Sequence, residues 1–174
     1  MAQARTERNT QIETVDVGLD EEAPRTSIEI LNKLLADEVL LYVKTKRYHW
    51  NVTGPWFYQY HQLFEAQYEV LDEIQDEVAE RVRALGGRPV ASLAGFLDQA
   101  RLEEDRGDTM DAPQMVERLL SDHESVVRFL REGAEECEDA GDMGTNDFLI
   151  ALMEKHEKMA WMLRASRTDT GPRQ

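Results

Sequence analysis

Residues 48–87 read YHWNVTGPWFYQYHQLFEAQYEVLDEIQDEVAERVRALGG, and the spacing within this stretch decides the fold. After the Gly54-Pro55 break, Phe57, Tyr60, Phe64, Tyr68, Leu71, Ile74, Val78 and Val82 recur at three- and four-residue steps as far as Gly86-Gly87. That period predicts an amphipathic helix with one apolar stripe and a glycine stop at its end. Pro55 suits the first turn of such a helix, where its missing N–H costs nothing.

The same reading extends in both directions. Upstream, Ile28, Leu31, Leu34, Leu35, Leu41 and Tyr42 predict a helix to about Asn51, opened by a Thr26/Glu29 capping box. Residues 1–25 set Arg5, Arg8 and Arg25 against six acids, a sum of −3, and are expected to form a flexible polar tail. Downstream, residues 88–111 read as a long connection with a short helix from Ser92 to about Arg101. Asp111, Pro113 and Gln114 open a third helix carrying Met115, Leu119, Leu120, Val126, Val127 and Leu130, which frays near Gly141. Thr145 or Asn146 is expected to start a fourth, with Phe148, Leu149, Leu152, Met159, Met162 and Leu163 inward. Four long helices with one crossover describe an all-α four-helix bundle over residues 26–167, followed by a short tail at 168–174.

Composition narrows the function classes. The formal charge is −15 over 174 residues, so the chain is a poor polyanion binder unless cations cluster locally. A single cysteine, Cys137, excludes an intrachain disulfide framework and a cysteine zinc cluster, and fits a reducing, cytoplasmic setting. No apolar run reaches the ~18 residues that a membrane span needs, and no signal-peptide core is present at the N-terminus.

The second helix also carries the ligand chemistry. His61 and Glu65 are four residues apart, Asp76 and Glu80 repeat that step, and the eleven residues from Glu65 to Asp76 make about three turns. All four therefore share one stripe, with a donor set suited to Fe²⁺ or Mn²⁺. Taken singly, an acid pair at this spacing reads as a solvated face, and a histidine beside aromatics as a structural one. Read together, the two pairs are half-sites: their midpoints are fifteen residues apart, roughly 22 Å along a helix. Two copies of the helix packed antiparallel about a two-fold axis would set His61/Glu65 of one chain against Asp76/Glu80 of the other. His49, at the end of the preceding helix, can join its own chain's His61. A di-iron site within one bundle would use Glu-x-x-His pairs. The residues three before the four histidines are Lys46, Tyr58, Leu120 and Met153, none of them acidic. His123 and His156 read as structural or surface groups.

At this point the sequence resembles the Dps family, the DNA-binding proteins from starved cells, a branch of the ferritin-like fold. The resemblance is carried by His49-Trp50-Asn51-Val52, Gly54, Phe57, His61, Phe64, Asp76, Ala79-Glu80-Arg81 and Leu85-Gly86, and extends through Asp147 and Trp161-Met162-Leu163. It implies a hollow homododecamer that oxidises Fe²⁺, generally with hydrogen peroxide, and keeps Fe³⁺ as oxide inside. The ferroxidase centre would use His49, His61 and Glu65 of one chain with Asp76 and Glu80 of the other. Many members have Asp where this chain has Glu65. Trp50 and Trp56 read as core or interface packing, with radical trapping as the lesser option.

Acids cluster at the end of the third helix: Glu135, Glu136, Glu138, Asp139 and Asp142, with Asp147 just beyond. This is either a solvated, fraying end or, by the resemblance, an iron-entry pore lined by Asp139, Asp142 and Asp147. The competing function is non-catalytic DNA compaction. Here the tails argue against it, since residues 164–174 offer only +2 and twelve copies of the chain sum to −180. DNA binding is expected to be weak or absent.

Overall fold

In the computed structural model, residues 13–20, 22–107 and 109–167 are described; residues 1–12 of the expected N-terminal tail and the C-terminal tail at 168–174 lie outside them. Five α-helices and no strands occur among the described residues: α1 (Glu22–Asn51), α2 (Phe57–Ala84), α3 (Leu93–Gln99), α4 (Ala112–Asp139) and α5 (Met143–Ala165). α1 and α2 form one antiparallel pair and α4 and α5 another. α1 packs across α4, and the short α3 lies along α1 within the crossover. The chain is an all-α four-helix bundle with a short helix in its long crossover. None of its described helices is long and apolar enough to cross a membrane.

The stripes read from the sequence meet in one core. Leu31, Leu34 and Leu41 of α1 meet Phe64, Leu71, Ile74 and Val78 of α2, Leu119 and Leu130 of α4, and Leu149 and Leu152 of α5, all of them fully buried. α2 ends as its glycines require: Gly86 N–H bonds to the Arg83 carbonyl at 3.0 Å and Gly87 N–H to Val82 at 2.9 Å, with Gly86 at φ 81°. Asp111 opens α4 with a full capping box to Gln114 and Pro113 in the first turn.

Two helix starts and the N-terminal segment differ from the reading above. α1 starts at Glu22, so Thr26 and Glu29 lie inside it and form no cap; Pro24 occupies its first turn, where proline is tolerated. The N-terminal segment is also partly seated. Glu13 N–H donates to the Gly86 carbonyl at 2.8 Å, and Ala23 and Pro24 are buried. α5 starts at Met143 with Asp142 as its cap, ahead of Thr145 and Asn146.

Buried polar groups pin the crossover. Asp37, wholly buried on α1, accepts Arg101 N–H and Leu102 N–H at 2.7 and 2.9 Å, and the Arg101 guanidinium at 2.8 and 2.6 Å. That guanidinium stacks 3.6 Å over the Phe129 ring. Lys44 bridges Asp122 at 2.6 Å and the Glu103 carbonyl at 2.8 Å. His123 and His156 are fully buried between α4 and α5, their Nδ1 atoms 3.0 Å apart. His156 Nε2 lies 3.1 Å from the equally buried Glu38, within ion-pair distance but out of hydrogen-bond alignment. Burial, then the neighbouring His156, holds His123 well below 6.5 and hence neutral.

Candidate metal centre

The turn at residues 52–56 folds α2 back along α1 and brings His49, near the end of α1, against His61, in the second turn of α2. The two imidazoles stack at 3.7 Å between centroids with planes 18° apart. His49 Nδ1 lies 2.8 Å from the His61 carbonyl, and His61 Nδ1 lies 2.8 Å from the His49 carbonyl. A carbonyl only accepts, so each Nδ1 carries the proton and donates. This reciprocal lock fixes both tautomers and leaves each Nε2 with a bare lone pair, the arrangement found in metal-binding histidines. It also satisfies one of the last carbonyls of α1, which have no partner within the helix. Phe57 stacks on His61 at 5.1 Å, and Tyr68 meets His49 edge-on at 5.2 Å, so aromatic rings bracket the pair.

Glu65 stands one turn beyond His61, half-buried, with Gln62 Nε2 and the Tyr68 hydroxyl each 3.5 Å from its carboxylate. Asp76 and Glu80 continue the stripe and are exposed. Within one chain, among the described residues, neither takes part in a hydrogen bond or ion pair, and no three His, Cys, Asp or Glu side chains gather to hold a metal. The structure thus brings His49 and His61 together, with Glu65 one turn further along α2 and Asp76 and Glu80 beyond it.

The acidic end of α4 divides. Asp139 and Asp147 are exposed, but Asp142 is 1% exposed, which removes it from any pore lining. It accepts Thr145 N–H at 2.9 Å, the Thr145 hydroxyl at 2.6 Å, the Ser27 hydroxyl at 2.7 Å and Arg81 at 3.0 Å. Burial pushes its carboxyl up, but the Thr145 and Ser27 hydrogen bonds and Arg81 outweigh that and hold it below 3.8. Trp50 and Trp56 are not core residues, being 68% and 54% exposed on this chain. Sequence reasoning missed Tyr68, which enters the helix stripe as one more apolar position. It also missed Asp105, which accepts the Tyr48 hydroxyl at 2.5 Å and pairs with Arg47.

The bundle and its histidine–carboxylate stripe define a ferritin-like protein, and the ferritin family profile, described as a ferritin-like domain, matches residues 28–170. The chain is 50% identical to a low temperature-induced protein of Nostoc sp. over 87% of its own length and 85% of that protein's. It is 39% identical to DNA protection during starvation protein 2 of Bacillus anthracis, covering 79% of this chain and 94% of that one. Among solved structures, DpsC from Streptomyces coelicolor superposes with a TM-score of 0.89 at 31% identity, over 94% and 95% of the two chains. Dps from Vibrio cholerae O1, described as a member of a superfamily of ferritin-like diiron-carboxylate proteins, gives 0.82 at 32%, over 90% and 98%. The chain belongs to the Dps family.

Proposed function

We propose that this protein is a ferroxidase that oxidises Fe²⁺, mainly with hydrogen peroxide, at centres shared between subunits, and stores the Fe³⁺ as oxide inside a homododecameric shell. The observation that carries the reading is the locked histidine pair, each Nε2 left with a bare lone pair, with Asp76 and Glu80 on α2 unpartnered among the described residues. A two-fold partner offering Asp76 and Glu80 completes the donor set on each side of the axis. Val43, Trp50, Leu93 and Leu97 stand exposed on α1, α3 and the turn end of α1, which supports a covering second chain.

Ring geometry bears on the number of metals. Two imidazoles in near-parallel planes 3.7 Å apart cannot both reach one ion in their own planes, where the Nε2 lone pairs lie. Each histidine therefore serves its own ion, giving two positions at the few-ångström spacing typical of two-metal sites. Two ferrous ions supply the two electrons that reduce peroxide to water: 2 Fe²⁺ + H₂O₂ + 2 H⁺ → 2 Fe³⁺ + 2 H₂O. Carboxylates from the partner favour Fe³⁺ over Fe²⁺ and so pull the reaction forward. Iron would enter past exposed Asp139 and Asp147. Non-catalytic DNA compaction is the competing reading, and the net charge of −15 disfavours it. By the same reading the protein works in the cytoplasm as a guard against oxidative damage.

Stopped-flow oxidation of Fe²⁺ tests the assignment. Peroxide is expected to drive the reaction faster than oxygen, and Glu80→Ala, whose side chain is exposed in the single chain, should lose at least about tenfold in rate. An unchanged rate in Glu80→Ala would remove the shared centre.

A further inference from the structure

We propose that Glu38 and His156 form a buried carboxylate–imidazolium latch at the centre of the bundle, which fixes the α1–α2 hairpin in register against the α4–α5 hairpin. The latch stands apart from the iron chemistry and does not depend on the ferroxidase reading. Glu38, on α1, is wholly buried, and neither of its carboxyl oxygens receives a hydrogen bond. A charge so placed has to be matched by a cation or neutralised. The other charged groups of the core are already spent. Asp37 on the same helix is held by Arg101 of the crossover, and Lys44 of α1 by Asp122 of α4. α2 lends the core Phe64, Leu71 and Ile74 with the neutral Gln67, which donates to the Met159 carbonyl at 3.1 Å. His156 of α5 remains, its Nε2 3.1 Å from Glu38 Oε1 with both side chains wholly buried.

The other ring nitrogen shows how the second histidine serves. His156 Nδ1 lies 3.0 Å from His123 Nδ1, so one of the two carries a proton and the other accepts it. His123 pairs with no carboxylate among the described residues, and burial holds it neutral. With the charge on His156, its Nδ1 donates, His123 Nδ1 accepts, and the one proton of His123 sits on Nε2. The N–H of His156 Nε2 misses the carboxylate, so the contact is one of charge rather than of hydrogen bonding. Such attraction falls only as 1/r and tolerates the angle. The pair joins α1 to α5, which belong to different hairpins. A slip of one hairpin by a turn, about 5.4 Å, would part the two charges where no water can solvate them.

The test reads the protons on the full protein, made with ¹⁵N-labelled histidine and studied by solid-state nuclear magnetic resonance at about pH 7.5. His156 is identified by the coupling of its Nδ1 to that of His123. The latch predicts protons on both ring nitrogens of His156 and on one of His123. Glu38→Gln keeps the shape and removes the charge, so His156 should fall to a single proton. If that variant does not fold, the wild-type spectrum decides alone. A singly protonated His156 in wild type, or a doubly protonated one that survives Glu38→Gln, would overturn the proposal. So would an infrared band of a protonated carboxyl that vanishes in Glu38→Gln, since the proton would then reside on Glu38. Thermal unfolding reads the packing: His156→Leu strands the carboxylate and should melt below the Glu38→Leu/His156→Leu double variant. A double variant that melts at or below the single one would contradict the latch.

Discussion

Asp142 and Glu80 look alike in the sequence, two acids near helix ends, and the structure gives them opposite roles. Asp142 is buried and fully engaged as the cap of α5, whereas Glu80 is exposed and has no partner among the described residues. Asp142→Ala strips the acceptor from Ser27, Thr145 and Arg81, which should cost about 1–3 kcal/mol in a denaturant titration. Charge reversal at exposed Asp139 or Asp147 should leave that titration unchanged and slow iron uptake instead. An equal stability loss at all three positions would erase the distinction. That His61/Glu65 and Asp76/Glu80 lie on one helix was legible because a four-residue step sets side chains side by side on a helix face. The cap was not, since an acid that reaches back to α1 and α2 leaves no periodic mark.

Element by element, the long helices followed from apolar spacing, and the glycine stop of α2 and the capping box of α4 fell where the residues put them. The start of α1 did not, because Pro24 is as acceptable inside a first turn as before one. The stacked histidine pair was half legible. The sequence placed His49 near His61, but the reciprocal hydrogen bonds depend on the path of the 52–56 turn. Asp37 with Arg101, and Glu38 with His156 and His123, join residues far apart in sequence and leave no local signature. The last group makes the packing of α4 on α5 sensitive to pH. His123 is held below 6.5 in the fold, so below that value the unfolded chain binds a proton that the folded chain refuses. Stability from this residue is complete above 6.5 and declines as pH falls through and below it. The thermal midpoint should therefore drop between about pH 7 and 5, and His123→Leu should flatten that drop; an unaltered slope in the variant would place the effect elsewhere.

At the scale of the whole molecule, the proposal gives a single chain the histidine half of one centre and, further along α2, the carboxylate half of another. The charge of −15 opposes contact with polyanions. In a gel shift at ~150 mM salt, no retention of DNA is expected at sub-micromolar protein, and clear retention would return DNA compaction to first place. Complementation between two inactive variants asks most directly whether the halves meet across subunits. His61→Ala and Glu80→Ala, each expected to be slow alone, are co-assembled so that their subunits exchange. A mixed dimer pairs the intact His61 of one chain with the intact Glu80 of the other. One of its two centres works, and random mixing should restore about a quarter of wild-type centres. Ferrous oxidation that stays at the level of the separate variants after verified subunit exchange would contradict a centre built from two chains.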